Sequence, residues 1–545
     1  MTNATLNSSN LDKELNYNYN HRIKDDNTLD INKEFEKFAN NLGFSTSDAG
    51  GKVTFKGKDP IVKSTIPLAT AASMCLVLKW LAAAKIGRMR GGKPQDLSID
   101  LGKSINRLSA LYRCKETLNG YNSELEDPNL GLLLSFFKTK DHKFIMPDNN
   151  TPKLRDRMEA LIDCQNNFKS IAKKILQWNA DDLEKAGMKR GLIFAKARSL
   201  PEFMKEKVYQ DYMKNVPLVE VEKIGDSKPE PFSKNPVNPL DGLRVLAMAH
   251  VIAGSTTGRA LACHGADVLN IWRPNEFDFE SSYNTADVGL RSSRIDYKKK
   301  TGRDQLVNLV KNADVFMANR RQKLLQEIHW TPEDVAKIRP GIVYCNMSYS
   351  GDRGPWKDAV GYDQVAGCVT GIGELDGTKD RPQLPIINIV NDTLTGWLAS
   401  IGIQEALIRR AKEGGSYRVH VSLVRTALWV MSLGIFDKDY VNKTYNQTPG
   451  HEEKPSDLFT ARTPLGFYRG VTDQVKSTSM KEVYKYILEP KGANYPVWLE
   501  HGVEPYWQPA HPDANVTTFG IQEAQSRIYD IIDQMEKDLK KKGQL

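Results

Sequence analysis

One acidic residue, Asp392, stands between the apolar run PIINIV and the uncharged, helix-forming run TLTGWLASIG. Carboxylates are rarely buried completely unless they are paired or functional. Because Asp is among the best N-cap residues, its side chain could simply close the first helical turn. The same position would also hold a carboxylate nucleophile beside the free N–H groups of a helix N-terminus. Spacing alone favours the cap, and both interpretations stay open at this point.

The elements around Asp392 follow a regular alternation. From LRVLAMA at 243–249 onwards, short apolar runs such as DVLNIW, DVFMA and GIVYCNMS are separated by helix-forming segments. This alternation predicts an α/β fold with a Rossmann-like, doubly wound parallel sheet whose strands are buried on both faces. The dinucleotide fingerprint GxGxxG is missing, since the glycines at 371 and 373 have no third partner and follow no suitable strand.

Two distant stretches of the chain can be aligned without gaps. Residues 69–101 face residues 391–423 at a constant offset of 322, and each reads as a long helix, a glycine-containing turn and a short strand. Chance remains an alternative because amphipathic helices resemble one another, but a diverged internal repeat is favoured. In this register Asp392 faces Thr70, so one copy carries the acid and the other does not.

The length of 545 residues allows two to four domains. The Pro-rich segment KPEPFSKNPVNP is the clearest boundary. The predicted organisation is a disordered tail with one candidate helix at 1–50, a degenerate segment with a small domain at 51–227, a linker at 228–239, the Rossmann-like domain at 240–450, and a C-terminal extension ending in a charged helix at 451–545.

Composition excludes several classes of protein. The net charge of +9 is spread among 67 acidic residues and forms no basic face with interleaved aromatics, so we expect no nucleic-acid partner. The six cysteines include no CxxC pair, which is typical of reduced thiols and predicts no metal site. No uninterrupted apolar run approaches the roughly 18 residues of a membrane span, so no membrane partner is expected. These features predict a cytoplasmic protein, with mitochondrial and peroxisomal locations left open.

The second half resembles CoA-transferase family III, the CaiB/BaiF group that includes formyl-CoA and carnitine CoA-transferases and α-methylacyl-CoA racemase. The resemblance covers about 236–435, from PLDGLRVLAMAHVIAGSTTGRALACHGADVLNIWRP to NDTLTGWLASIGIQEALIRRAKEGGSYRVHVSL. Residues 50–235 resemble a truncated copy without the nucleotide-type sheet, followed by the family's smaller α+β domain. Because the family forms interlaced dimers, the resemblance implies either a homodimer or an intramolecular pseudo-dimer.

The resemblance also implies the chemistry, which is transfer of coenzyme A between an acyl-CoA and a carboxylic acid (EC 2.8.3.-). In this family an Asp forms first a mixed anhydride and then an enzyme–CoA thioester, and Asp392 matches that position. With the match, the nucleophile is favoured over the cap. Coenzyme A is then a co-substrate, and no tightly bound cofactor is implied. The positions that match substrate- or CoA-binding residues are His250, Ala253, Arg273, Lys298, Asn319, Tyr362 and Asp363.

Departures from the family keep two alternatives open. The racemase branch has a His where this chain has Tyr362, and a phenol with a pKa near 10 is a poor acid/base at an α-carbon. An acyl-CoA racemase or epimerase would therefore need His250 or His420 as its base. Glu327 replaces an expected basic residue of the CoA clamp, although Arg320 and Arg321 could compensate for it. This departure leaves a non-catalytic CoA-binding relic as the second alternative.

Overall fold

A computed structural model describes residues 11–108, 110, 115–122, 133–387, 389–499 and 521–543. Cys114 and part of the expected C-terminal extension lie outside these residues. The strands, numbered in chain order, are β1 Gly50–Lys56, β2 Gln95–Asp100, β3 Thr117–Leu118, β4 Phe137–Lys138, β5 Phe144–Met146, β6 Ala195–Lys196, β7 Glu220–Gly225, β8 Arg244–Met248, β9 Asp267–Trp272, β10 Arg291–Arg294, β11 Val315–Ala318, β12 Val343–Ser348, β13 Ser416–Ser422, β14 Leu458–Thr463, β15 Gly466–Val471 and β16 Lys476–Ser477.

The helices surround these strands. Those of the first part are Leu11–Asn20, Ile31–Asn41, the 3-10 turn Thr46–Ala49, Leu68–Met89, Leu101–Leu108, Pro152–Ile162, Phe168–Ile175, Ala180–Arg190, Leu200–Phe203, Lys207–Asp211 and the 3-10 turn Met213–Asn215. Those of the second part are Ala253–Ala262, Glu280–Ala286, Lys300–Lys311, Gln322–Glu327, Pro332–Ile338, Asp363–Thr370, Ile372–Asp376, Asn391–Glu413, Leu423–Ser432, Lys438–Thr444 and Ile521–Lys541.

A seven-stranded sheet forms the centre, in the order β10-β9-β8-β11-β12-β13-β7. All neighbouring strands are parallel except β7, which pairs antiparallel with β13 at one edge. Strands β9 and β13 are buried along their whole length, as expected for a sheet covered by helices on both faces. The predicted α/β class with a doubly wound parallel sheet is confirmed. The order in which strands are added reverses between β8 and β11, since β9 and β10 extend the sheet on one side and β11 to β13 on the other. Sheets of this kind bind ligands at that switch point.

A smaller α+β unit lies before the sheet in the chain. We call it the small unit; it consists of strands β4, β5 and β6 with the helices Pro152–Ile162, Phe168–Ile175 and Ala180–Arg190. It has its own hydrophobic cluster, to which Phe137, Ile145 and Leu183 belong. Tyr362 packs against this cluster and also against the main core, so the small unit adjoins the main domain at this residue.

The aligned stretches found in the sequence correspond in structure. The helices Leu68–Met89 and Asn391–Glu413, called the Leu68 helix and the Asn391 helix below, pack against each other. Each is followed by a strand and then by a helix that begins at Leu101 or Leu423. A hydroxyl pair recurs at the offset of 322, since the Ser73–Ser104 and Thr395–Thr426 oxygens are both 2.8 Å apart. These correspondences support the interpretation of an internal repeat.

Residues 11–20 differ from the prediction of a disordered tail, because they form the helix Leu11–Asn20, in which Leu11 and Leu15 are buried. The candidate helix expected within 1–50 is present as Ile31–Asn41, where Phe35 is buried and Phe38 stacks on Trp429 at 4.9 Å. The Leu68 helix is, by length and composition alone, long and apolar enough to cross a membrane. However, 94% of its apolar window is buried inside the protein, as in a core helix.

Candidate active site

Asp392 lies in the first turn of the Asn391 helix and is 7% exposed. The N-cap residue is Val390, and no side chain of the helix makes a cap hydrogen bond. Asp363 closes the helix from outside, because its Oδ2 accepts the N–H groups of Val390 at 2.9 Å and Asp392 at 2.6 Å. Among the described residues, nothing donates a hydrogen bond to the Asp392 carboxylate. Asp392 is therefore not the cap.

The Leu68 helix shows the same arrangement without the acid. The N–H of Thr70, which faces Asp392 in the repeat register, donates to Asp59 Oδ2 at 2.6 Å. Asp59 thus closes the first copy as Asp363 closes the second. Because both helices are capped by an acid from another segment, the fold does not require Asp at position 392.

Three buried acids surround the start of the Asn391 helix. Burial raises the pKa of Asp363 to about 7, although hydrogen bonds from the helix N–H groups act against this shift. Burial and the charge of Asp363 raise the pKa of Asp148 to about 8. Burial together with Asp363 and Asp148 raises the pKa of Asp392 well above its ordinary range. Burial thus raises the pKa of all three carboxyl groups, as is common for functional acids in clefts.

The Asn391 helix can pack closely on the helix Ala253–Ala262 because Gly396 has no side chain. A Cβ added at Gly396 would lie 2.7 Å from the carbonyl oxygen of Ala253 and 2.8 Å from Thr256 Cβ. Ala253 begins the helix that follows β8, so the predicted ligand-binding loop and the Asp392 turn are packed directly together. The backbone of Ala253 therefore forms part of the contact between the two helices.

We expect Gly396→Ala to move the Asn391 helix and Asp392 with it. Overpacking at such a contact costs about 1–3 kcal/mol of unfolding free energy, and misplacement of the carboxylate should lower kcat. Gly367→Ala is the matched control, because a Cβ at this helical glycine meets nothing closer than 3.8 Å. Denaturant unfolding and steady-state kinetics of both variants check this prediction, which fails if Gly396→Ala behaves like Gly367→Ala.

His250 and Asn319 meet at the switch point of the sheet. His250 follows β8 and Asn319 follows β11, and Asn319 Nδ2 donates to the His250 carbonyl at 2.8 Å. Asn319 Oδ1 also lies 3.0 Å from His250 Nδ1. Burial and the charge of Arg320 lower the pKa of His250 to about 3, so the ring is neutral at pH 7. The structure brings these two predicted residues together.

Cationic side chains flank the same edge. Arg273 follows β9, where its Nη2 lies 3.5 Å from Glu276 Oε1 and its guanidinium lies 6.0 Å from the centre of the Tyr297 ring. Arg320 pairs with the same Glu276. Lys298 is exposed on the turn before the helix Lys300–Lys311, and the hydrogen bonds described for it involve its backbone. Arg273 and Arg320 thus share a partner, whereas Lys298 stands apart from this pair.

Tyr362 precedes the helix Asp363–Thr370. Burial and the charge of Asp148 raise the pKa of its phenol further, while Arg321 acts in the opposite direction. A phenol that keeps its proton is unsuited to act as a base at an α-carbon. Both ring nitrogens of His420 have hydrogen-bond partners, since Nδ1 lies 2.7 Å from Glu220 Oε1 and Nε2 lies 2.9 Å from Ser348 Oγ. Both observations weigh against a racemase.

One acidic cluster elsewhere has the spacing of a metal site. Glu220, Asp352 and His420 place ligand atoms within 4.8 Å of one another. Arg353 pairs with Glu220 and Arg418 pairs with Asp352, so ion pairs account for both carboxylates.

Sequence reasoning missed two functions at the site. It assigned Asp363 to substrate binding, whereas the carboxylate is turned to the backbone of the Asn391 helix. It gave no role to Asp148, which lies two residues after β5 and is completely buried beside the other two acids. The only local signal is an acid that follows the apolar run FIM after a single proline, Pro147. Its position beside Asp392 depends on contacts between segments more than 200 residues apart.

Comparison with known proteins bears on residues 240–474, which match the model of CoA-transferase family III. An acetyl-coenzyme A transferase of Hypoxylon pulicicidum is 29% identical over 211 residues, 37% of this chain and 36% of that protein. A formyl-CoA:oxalate CoA-transferase of Rhodopseudomonas palustris is 31% identical over 196 residues, 34% of this chain and 46% of that protein. A succinate–glutarate CoA-transferase of Agrobacterium fabrum is 29% identical over 204 residues, 34% of this chain and 51% of that protein.

Among solved structures, a CAIB/BAIF family protein from Brucella suis is 27% identical, with a TM-score of 0.33 over 42% of this chain and 65% of that one. The chain spans about a third to a half of the length of the curated relatives it matches. The family match confirms the resemblance found in the sequence, since residues 240–474 of this chain match the model of CoA-transferase family III.

Proposed function

We propose that this protein transfers coenzyme A between an acyl-CoA and a carboxylic acid, with Asp392 as the nucleophile. One observation carries the proposal. The Asp392 carboxylate stands at the start of a helix and accepts no hydrogen bond from the described residues, while Asp363 performs the capping. A carboxyl group without a hydrogen-bond partner can attack once it is ionised, and the helix N-terminus acts in favour of the ionised form, against the effect of burial.

The reaction proceeds through covalent intermediates on Asp392. An oxygen of Asp392 attacks the thioester carbonyl carbon, the C–S bond breaks, and CoA leaves as the thiolate with the electron pair. The thiolate then attacks the Asp392 carbonyl carbon of the mixed anhydride, which releases the donor acid and forms an enzyme–CoA thioester. The acceptor carboxylate attacks the carbonyl carbon of this thioester, which expels the CoA thiolate and forms a second mixed anhydride on Asp392. The thiolate then attacks the acceptor's acyl carbon, which releases the Asp392 carboxylate and gives the new acyl-CoA. Together these steps replace one difficult acyl transfer by several easier ones.

The switch point of the sheet is the proposed CoA site. His250 and Asn319 are joined there, and Arg273, Arg320 and Arg321 supply cations at the same edge. Guanidinium groups bind phosphates well because they donate two parallel hydrogen bonds. Arg320 and Arg321 thus stand in for the basic residue replaced by Glu327, which supports an intact clamp.

The arrangement also supports an intramolecular pseudo-dimer with one such site. The small unit and the Asn391 helix, which together hold Asp148 and Asp392, belong to the same chain. The first copy has Thr70 in place of the nucleophile, so it lacks the acid that this chemistry requires.

An exchange assay tests the function. The purified chain is incubated with acetyl-, formyl- or succinyl-CoA and with a panel of free carboxylic acids, and new acyl-CoA species are measured by mass spectrometry in ordinary and deuterated water. We expect CoA to appear on at least one acceptor acid. Deuterium entering the α-carbon without exchange of acids would instead indicate a racemase. CoA binding without either reaction would indicate a non-catalytic relic.

A further inference from the structure

Asp148 is a buried acid with no bonding partner. It is 0% exposed, and neither carboxylate oxygen has a hydrogen-bond partner among the described residues. An ionised carboxylate in such a place would be very unfavourable, whereas the neutral acid costs far less. The group therefore holds a proton that it donates to nothing within the described protein.

The position of Asp148 is fixed by its neighbours. The next residue, Asn149, donates from Nδ2 to the Ile193 carbonyl at 2.6 Å and accepts the Ile193 N–H at 2.9 Å. Ile145 and Met146, which precede it in β5, are fully buried. Because the backbone is held on both sides, Asp148 is presented by a rigid part of the small unit.

Asp148 lies beside the proposed nucleophile. It is close enough to interact electrostatically with Tyr362, Cys368 and Asp392 of the main domain, and the charge of Asp363 acts on Asp148 itself. Arg321 is the cation that acts on the same Tyr362. The small unit thus contributes an unpartnered, buried carboxyl group close to Asp392.

We propose that Asp148 is a second catalytic carboxyl group, which stays protonated and donates a hydrogen bond to the carbonyl oxygen of the acyl group that Asp392 attacks. This inference rests on the proposed function. As the oxygen of Asp392 bonds to the acyl carbon, the C=O π pair moves onto the carbonyl oxygen, and it returns when the thiolate leaves. Asp148 keeps its proton throughout and stabilises that oxygen only while the negative charge is present.

A donor of this kind is valuable because the site excludes water. Removing one preorganised donor to such an oxygen typically lowers kcat by about 10²- to 10³-fold. A carboxylic acid can donate only while it is protonated. With the pKa of Asp148 raised to about 8 by burial and by Asp363, the wild-type enzyme should lose activity as the pH rises above that value.

Two substitutions separate hydrogen-bond donation from other roles. Asp148→Ala removes the donor and should lower kcat by about 10²- to 10³-fold. Asp148→Asn keeps an N–H donor that does not titrate, so it should stay within about tenfold of the wild type and should not lose activity at alkaline pH. Asp156→Asn is the matched control in the small unit, because Asp156 is 73% exposed.

The readouts are kcat and KM from pH 6 to 10, CoA affinity and thermal unfolding of the full chain. Unchanged kcat in Asp148→Ala would overturn the inference, as would equal losses in the Ala and Asn variants with an unaltered pH profile. If neither variant folds, ¹³C NMR of the wild-type Asp148 carboxyl decides, since a carboxyl that is ionised at pH 7 contradicts the proposal. If the wild type transfers no CoA at all, the proposed function has failed and this assignment falls with it.

Discussion

Asp392→Asn is expected to lower kcat/KM for CoA transfer by about 10⁴-fold or more, as removal of a covalent nucleophile does in other enzymes. Asn has nearly the shape of Asp but carries no charge and cannot form the anhydride. The helix should remain intact because Asp363, and not Asp392, accepts the N–H groups at its start. CoA affinity should therefore change little, and the fall in kcat/KM should come from a lower kcat.

The same variant should not be less stable than the wild type. Burial and two neighbouring acids raise the pKa of Asp392, so its ionised form opposes folding at pH values above its ordinary pKa. Asp392→Asn removes this cost, and the midpoint of thermal unfolding at pH 8 should be equal or higher. Asp358→Asn, which alters an exposed acid of the same domain, should leave both activity and stability unchanged. Retention of a tenth of the activity by Asp392→Asn would contradict the assignment.

The second large effect is expected from Asp363→Asn. The Asp363 carboxylate holds the first turn of the Asn391 helix and also places a negative charge beside Asp392. An amide nitrogen facing the two N–H groups would disturb the turn, and displacement of a reacting group by about 1 Å can cost about a hundredfold in rate. We expect kcat to fall by about ten- to a hundredfold.

The pH dependence distinguishes this effect from simple damage. Because the charge of Asp363 raises the pKa of Asp392, its removal should lower that pKa, and the acid limb of kcat/KM should move to lower pH. Profiles measured from pH 5 to 9 check this expectation. If kcat falls but the acid limb of kcat/KM stays at the same pH, Asp363 only holds the helix turn and does not set the pKa of Asp392.

Much of the architecture could be predicted because the relevant signals are local. The unbroken apolar strands of the central sheet follow directly from burial on both faces, and the alternation with helices gives the parallel order. The repeat register also follows from the sequence, and the two residues that it pairs, Thr70 and Asp392, both donate their N–H to an acid from another segment. The position of Asp392 at the start of a helix was predicted for the same reason.

The remaining features depend on contacts between distant segments. That Asp363 caps the helix is set by packing of its own helix against the Asn391 helix, which no spacing rule reports. Asp148 reaches the site only because the small unit packs against Tyr362. The helix Leu11–Asn20 was taken for disorder because its sequence is rich in Asn, whereas two buried leucines dock it. Local composition cannot reveal such docking.

The most direct measurement is peptide mass spectrometry of the chain after brief incubation with an acyl-CoA. We predict a CoA adduct on the peptide that contains Asp392, and conversion of that residue to a hydroxamate when hydroxylamine is added. Both signals should be missing from Asp392→Asn. CoA transfer with an adduct on another residue, or with undiminished activity in Asp392→Asn, would contradict the central claim that Asp392 is the nucleophile.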